Sequence, residues 1–293
     1  MANLKAIRNR IKSVQSTQKI TKAMKMVAAA KVRRAQMKMM AARPFTQAVV
    51  SMLKRAVSEV ADIDLQGLDL LEKRPINTVL LIILSSDRGL CGGYNSVIFR
   101  ETMIRIKQLQ DDNKKVKLLL VGLKAAAFFK TIKIEKLKQH TNLPAIPSVE
   151  VARLIAQEAA EFYVKKEVDA VELIGTDFIN MISSKVINTK VLPIDLPHQE
   201  DVKLPTAETL FEPSIFEVMK LELLPKYMEN VIFQGLLEAS ASELAARMNA
   251  MTNASNNARD LISSLTLEYN KARQAGITQE LLEIVGGAEA LKG

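Results

Sequence analysis

A cysteine set among glycines at the end of an apolar run is where this sequence most invites a chemical reading. The run "TVLLIILS", residues 78–85, leads into "SDRGLCGGYNS", residues 86–96, which holds the chain's only cysteine, Cys91. A glycine-rich turn after a buried strand is where open α/β sheets hold phosphates, and a thiolate there is a candidate nucleophile. The spacing supports neither use. Gly89, Gly92 and Gly93 fit neither G-x-G-x-x-G nor G-x-x-x-x-G-K-[ST], and no Lys-Ser, Lys-Thr or ribose-binding acid follows. Only the position at a strand's end still favours a nucleotide. The two histidines, His140 and His198, lie far from Cys91 in sequence and belong to no recognisable base motif. One cysteine also excludes an internal disulfide or a cysteine-built zinc site and suits a reducing compartment. The reading is therefore a loop shaped by glycine, with Cys91 packed, Asp87 capping the next turn and Arg88 presented on it. No cofactor or metal is expected.

The elements that position this loop alternate between strand and helix. Strands are predicted at 78–85, 115–122, 169–178 and 185–193, and helices at 96–112, 123–130 and 148–167. Apolar strands separated by helices predict a mostly parallel sheet, and the close last pair predicts an antiparallel hairpin at one edge. This is a small α/β, Rossmann-like domain, assigned to residues 75–195. A proline-bearing linker or foot follows at 196–212.

Long helices flank that domain. Leu4, Ile7, Ile11 and Val14 repeat at coiled-coil spacing, after which the apolar stripe is predicted to change phase to Ile20, Met24 and Val27. This helix spans residues 1–58, with a bend at Pro44. In the C-terminal segment, 213–293, Leu244, Met248, Met251, Ser255, Ala258, Ile262, Leu265, Tyr269 and Ala272 alternate steps of four and three. Each helix would reach roughly 85–90 Å. Two such helices at opposite ends of the chain predict an antiparallel two-helix coiled coil, kept thin by "VAAAK" and "EASASELAARMNAM". With no tryptophan and few aromatics, the composition suits slender helix packing better than aromatic-rich pockets.

Charge is divided sharply along the chain. Residues 1–55 carry 14 of the 41 Lys and Arg and none of the 32 Asp and Glu, so the rest of the chain is net acidic. Helical periodicity through all of this basic stretch is longer than a cleaved mitochondrial presequence would keep. No stretch approaches the roughly 20 apolar residues of a membrane span.

Three sequence stretches carry a family resemblance: "KITKAMKMVAAAKVRRAQ", "SDRGLCGGYN", and "ASELAARMNAM" followed by "YNKARQAGITQELLEIVGGAEAL". In order and spacing they resemble the γ subunits of F-type rotary ATP synthases over nearly the whole chain. The resemblance implies a central stalk whose coiled coil turns inside an α3β3 hexamer, with the α/β domain outside beside the ε subunit and the c-ring. It implies a subunit that couples ion flow to ATP synthesis or hydrolysis without performing bond chemistry. It further implies that Met24, Arg88, Arg247, Gln274, Thr278 and Glu280 face the β subunits, and that Glu212 belongs to the foot near ε and the c-ring. Photosynthetic members carry an insertion in the second half of the α/β domain, with a regulatory dithiol in plant plastids. The short, cysteine-free run here implies no thiol switch. The implied location is peripheral, on the cytoplasmic face of a bacterial cell membrane.

The residues alone leave two other classes open. A basic coiled coil could bind nucleic acid, although no interleaved aromatics or base-reading module accompany the charge. A nucleotide- or thiol-dependent enzyme could use the glycine loop.

Overall fold

The structure, a computed structural model, describes residues 4–59, 67–194, 212 and 214–290. It divides into two compact units. One is residues 29–246; the other joins the segment up to Ala28 with the segment from Arg247 onward.

In the larger unit five strands form one sheet: β1 (Thr78–Leu84), β2 (Lys115–Val121), β3 (Glu135–His140), β4 (Ala170–Phe178) and β5 (Ser184–Leu192). Their order is β3-β2-β1-β4-β5, parallel throughout except for the antiparallel β4–β5 pair at one edge. β1 is the central strand, and all but its first residue are buried, as a parallel strand covered on both faces must be. The helices are α1 (Leu4–Glu59), α2 (Tyr94–Asp111), α3 (Leu123–Phe129), α4 (Val149–Val164), α5 (Ile215–Val218) and α6 (Leu224–Ala290). Alternation along β1 divides the core. Val79, Leu81 and Ile83 pack with Ile98 and Ile106 of α2 and Phe129 of α3. Leu80, Ile82 and Leu84 pack with Ile155 and Tyr163 of α4, Ile232 and Leu236 of α6, and Leu53 of α1.

The predicted hairpin is present, and β3 is an addition. Its sequence, "EKLKQH", has no apolar run to announce a strand, because an edge strand needs charge to deter further pairing more than it needs burial. Lys117 and Glu135 form a 3.4 Å ion pair across the β2–β3 pairing. α2 begins at Tyr94, two residues before the predicted start.

Two glycines set close approaches. A Cβ on Gly122, which has φ +101°, would lie 2.3 Å from the Ser85 carbonyl oxygen. A Cβ on Gly235 would lie 2.6 Å from Leu173, so a bare α-carbon is what lets α6 lie against β4. Beside this contact α1 and α6 pack on each other through Val32, Ala35, Ala241, Leu244 and Ala245. Pro44 sits within the continuous α1.

In the smaller unit, the side-chain amide of Gln18 donates to the Ser255 carbonyl at 3.4 Å, placing these segments of α1 and α6 side by side. The predicted α6 seam is the buried one here. Met251, Ser255, Ala258 and Leu265 are buried, and Ile262, Tyr269 and Ala272 are half-buried. The predicted change of phase on α1 does not occur. Thr21 and Ala28, which continue the original heptad, are buried at 8% and 2% exposure, while Ile20 and Val27 are exposed at 60% and 57%. Small and polar side chains keep the register because they allow the helices to approach, and the larger apolar ones are turned outward.

Candidate functional site

The glycine loop between β1 and α2 is held by a polar network. Asp87 does not cap its own turn. Its Oδ1 accepts from the backbone N–H groups of Leu123 at 2.8 Å and Asn142 at 3.1 Å, and its Oδ2 accepts from that of Leu143 at 2.7 Å. One carboxylate thus ties the loop to the start of α3 and to the segment after β3. The Asn95 amide donates to Ser86 Oγ at 2.7 Å and to Cys91 Sγ at 3.4 Å, and Ser86 Oγ donates to the Arg88 carbonyl at 2.8 Å. Leu90 and Gly92 take left-handed φ of 64° and 60°. Cys91 is 2% exposed and belongs to the core beneath α2. His140 meets Glu158 at 2.7 Å, leaving Cys91 without an imidazole among the described residues; His198 lies outside them. Beside the buried thiol, Arg88 and Leu90 face solvent.

A second network supports the entry to β1. Arg74 stacks over the Tyr163 ring at 4.2 Å, donates to Asp169 Oδ1 at 2.8 Å and donates to the Tyr163 carbonyl at 2.8 Å. Burial raises the Asp169 pKa, but the N–H groups of Thr78 and Asn77 and the Arg74 guanidinium outweigh it and hold the carboxyl below its ordinary range. On the opposite sheet face Arg105 donates to Glu172 at 2.8 Å. Burial raises the Glu172 pKa, and the hydrogen bonds from Arg105 and Asn188 reverse that shift.

The remaining candidate residues lie on the helices. In the smaller unit Met24 and Arg247 are half-buried. The Gln18–Ser255 contact puts them at nearly the same level of the antiparallel pair. Gln274, Thr278 and Glu280 are exposed near the end of α6, within two turns of one another. Thr278 Oγ1 donates to the Gln274 carbonyl at 3.0 Å, so its hydroxyl serves its own helix. Glu212 is exposed in the larger unit, and the rest of the 196–212 segment lies outside the described residues.

Sequence reasoning missed the outward apolar residues. Ile20, Met26 and Val27 on α1, and Ile277, Leu281, Leu282, Ile284 and Val285 on α6, are all at least half exposed within the smaller unit. On α1 they share the surface with exposed Lys5, Arg8, Arg10, Lys12, Lys19 and Lys22. The heptad could have revealed the α1 residues had Thr21 and Ala28 been accepted as seam positions. On α1 these side chains face outward from a buried seam, and on α6 they lie beyond Ala272, the last of the seam positions. Among the described residues no cluster of three or more His, Cys, Asp or Glu could hold a metal, and no helix is long and apolar enough to cross a membrane.

Comparison with known proteins adds an end-to-end likeness. The family model described as ATP synthase matches residues 3–291. The chain is 45% identical to the ATP synthase gamma chain of Thermosynechococcus vestitus over all of both chains. It is 43% identical to that of Synechococcus sp. strain JA-3-3Ab, over 99% of this chain and 100% of the relative. Both alignments run over 318 positions, more than the 293 residues here, so the cyanobacterial relatives carry residues that this chain lacks. Among solved structures, a chain from the central stalk and c-ring of the Tetrahymena thermophila mitochondrial ATP synthase matches with TM-score 0.62 and 30% identity, over 80% of this chain and 99% of that one. A chain of the Euglena gracilis mitochondrial enzyme shares the fold with TM-score 0.67 at 21% identity, over 98% and 94%.

Proposed function

Because the chain belongs to the ATP synthase gamma-chain family, we propose that it works as the rotor shaft of an F-type ATP synthase, its paired helices turning within α3β3. The observation that carries this reading is the match over residues 3–291, which takes in both helical arms and the sheet between them. In this role the chain makes and breaks no bond. It transmits rotation between a membrane c-ring and the catalytic β subunits, so that ion flow drives ATP synthesis, or hydrolysis drives the ring in reverse.

The surface chemistry suits a shaft that must slide. A basic face attracts acidic partner surfaces over about 8 Å in physiological salt, and such attraction steers without locking one orientation. Exposed methionines and aliphatics on the same helices offer low-friction contact, and the described part of the smaller unit presents no tryptophan anchor. Met24, Arg88, Arg247, Gln274, Thr278 and Glu280 are assigned to β-subunit contact, and Glu212 to a foot beside ε and the c-ring. The chain would then be peripheral to the cytoplasmic face of a bacterial membrane, held there through its partners. Nothing in the site geometry favours nucleic acid.

Reconstitution tests this directly. Mixed with α and β subunits, the chain should restore ATPase activity and co-elute as one complex. Failure to assemble under conditions where another gamma chain succeeds would remove the proposal.

A further inference from the structure

Within the larger unit, a cleft of about 230 Å³ lies between α1, α6 and the β4–β5 end of the sheet. Leu173 and Ile187 supply apolar wall, and Asn230 and Gln234 line it from successive turns of α6. Asn230 is 4% exposed. Thr46 Oγ1 lies 3.2 Å from both Asn230 Oδ1 and the Ala42 carbonyl, its one proton shared between the two acceptors, while Asn230 Nδ2 has no hydrogen-bond partner among the described residues. Gln234 Nε2 donates to Glu238 at 2.7 Å, and its buried Oε1 is likewise without a partner among them. The Glu238 carboxylate fixes which way the Gln234 amide faces, because only the NH2 end can meet it.

A buried donor and a buried acceptor therefore stand at i and i+4 on one helix, at the rim of an apolar cleft. Leaving such groups unmet is costly, and native structures seldom do so. An anionic ligand would lose its hydration without finding an opposite charge, since the lining holds the Glu238 carboxylate and no Lys or Arg, and a cation offers no acceptor to Asn230 Nδ2. A carboxamide answers both groups: its carbonyl accepts from Asn230 Nδ2, and its N–H donates to Gln234 Oε1. Water could satisfy the same two atoms, but it gains nothing from the apolar walls.

We propose that this cleft is a binding site for a small neutral molecule carrying a carboxamide or lactam edge on a flat apolar body. Its volume suits a single substituted ring rather than the larger ligands of typical pockets. A molecule seated there would bridge α1 and α6 to the sheet.

The test uses the full-length chain alone, so it does not depend on assembly with other subunits. 4-Fluorobenzamide is titrated and followed by the broadening of its ¹⁹F resonance, with fluorobenzene as the probe lacking an amide. Saturable broadening is expected for the amide, at least tenfold weaker for fluorobenzene. Asn230→Leu should weaken amide binding about tenfold, and Thr189→Trp, which fills the cleft from the sheet side, should abolish it. If Asn230→Leu loses the helical circular dichroism of the parent, Gln234→Leu takes its place with the same expectation. Absence of saturable broadening, equal affinity for the two probes, or unchanged binding in the folded variants would overturn the proposal.

Discussion

Replacing Asp87 with alanine removes three backbone hydrogen bonds at once, from Leu123, Asn142 and Leu143. Hydrogen bonds to a charged group contribute about 1.5–3 kcal/mol each when well shielded. Leu123 is 46% exposed and Asn142 is also exposed, so water can replace part of the loss. A discounted value of about 1 kcal/mol per bond gives about 3 kcal/mol in total. At 1.4 kcal/mol per decade, local opening should become roughly a hundredfold more frequent.

Hydrogen exchange read on peptides covering 120–126 and 140–146 is the direct assay. Both should lose protection by about two decades in Asp87→Ala. Asp87→Asn divides the effect. Its remaining oxygen can still serve Leu123 and Asn142, but its NH2 faces the Leu143 N–H, so the loss should concentrate at 140–146. Parent-like exchange in Asp87→Ala would refute the claim that one carboxylate holds the Arg88 loop in place.

Four further outcomes follow from the same geometry. In a reconstituted complex Arg88→Glu should change ATPase rate or coupling, whereas Cys91→Ala should leave the rate unchanged and cost about 1 kcal/mol in urea titration, a small packing defect. Gly122→Ala should destabilise the sheet-bearing unit by about 3 kcal/mol or more, because the new Cβ meets the Ser85 carbonyl at 2.3 Å and φ is +101°; a parent-like midpoint would contradict this. The lowered Asp169 pKa contributes stability above the ordinary aspartate value of 3.8, and that contribution is lost as pH falls through the lower folded value. Urea midpoints from pH 6 to 2 should therefore fall less steeply in Asp169→Asn than in the parent. On the helices, Leu265→Ala at a 4% exposed seam position should cost about 2–3 kcal/mol, against under about 0.5 kcal/mol for Ile20→Ala at 60% exposure, and equal losses would disprove the register.

Legibility in the sequence followed burial. β1, β2 and β4 are apolar because both sheet faces are covered, so their runs could be read directly. The hairpin was visible because two strand-like stretches follow closely with no helix between them. β3 was not, since its charged edge serves against aggregation and carries no core signal. At the loop, the glycine spacings match neither phosphate-binding motif, and Cys91, expected to pack, is buried. Asp87 was misjudged because its three partners come from 36, 55 and 56 residues away, beyond any local capping pattern. The unmatched amides of Asn230 and Gln234 could not be read at all. Whether a polar residue on a long helix is partnered depends on what tertiary packing sets opposite it.

The register of α1 shows how composition can mislead about which face does what. Hydrophobicity alone assigns Ile20, Met24 and Val27 to the interior, yet of these only Met24 is even half-buried. Thr21 satisfies its hydroxyl on the Gln18 carbonyl at 3.0 Å, which lets a polar residue occupy the seam without loss. Ala28 then allows close approach where isoleucine or methionine would hold the helices apart. Placing the bulk outside makes sense only if the outer face also has work to do. A two-helix pair that served stability alone would bury its largest aliphatics and show charge to water. This one mixes exposed aliphatics with lysine and arginine, the combination a rotor needs to be attracted to its sleeve and still turn within it.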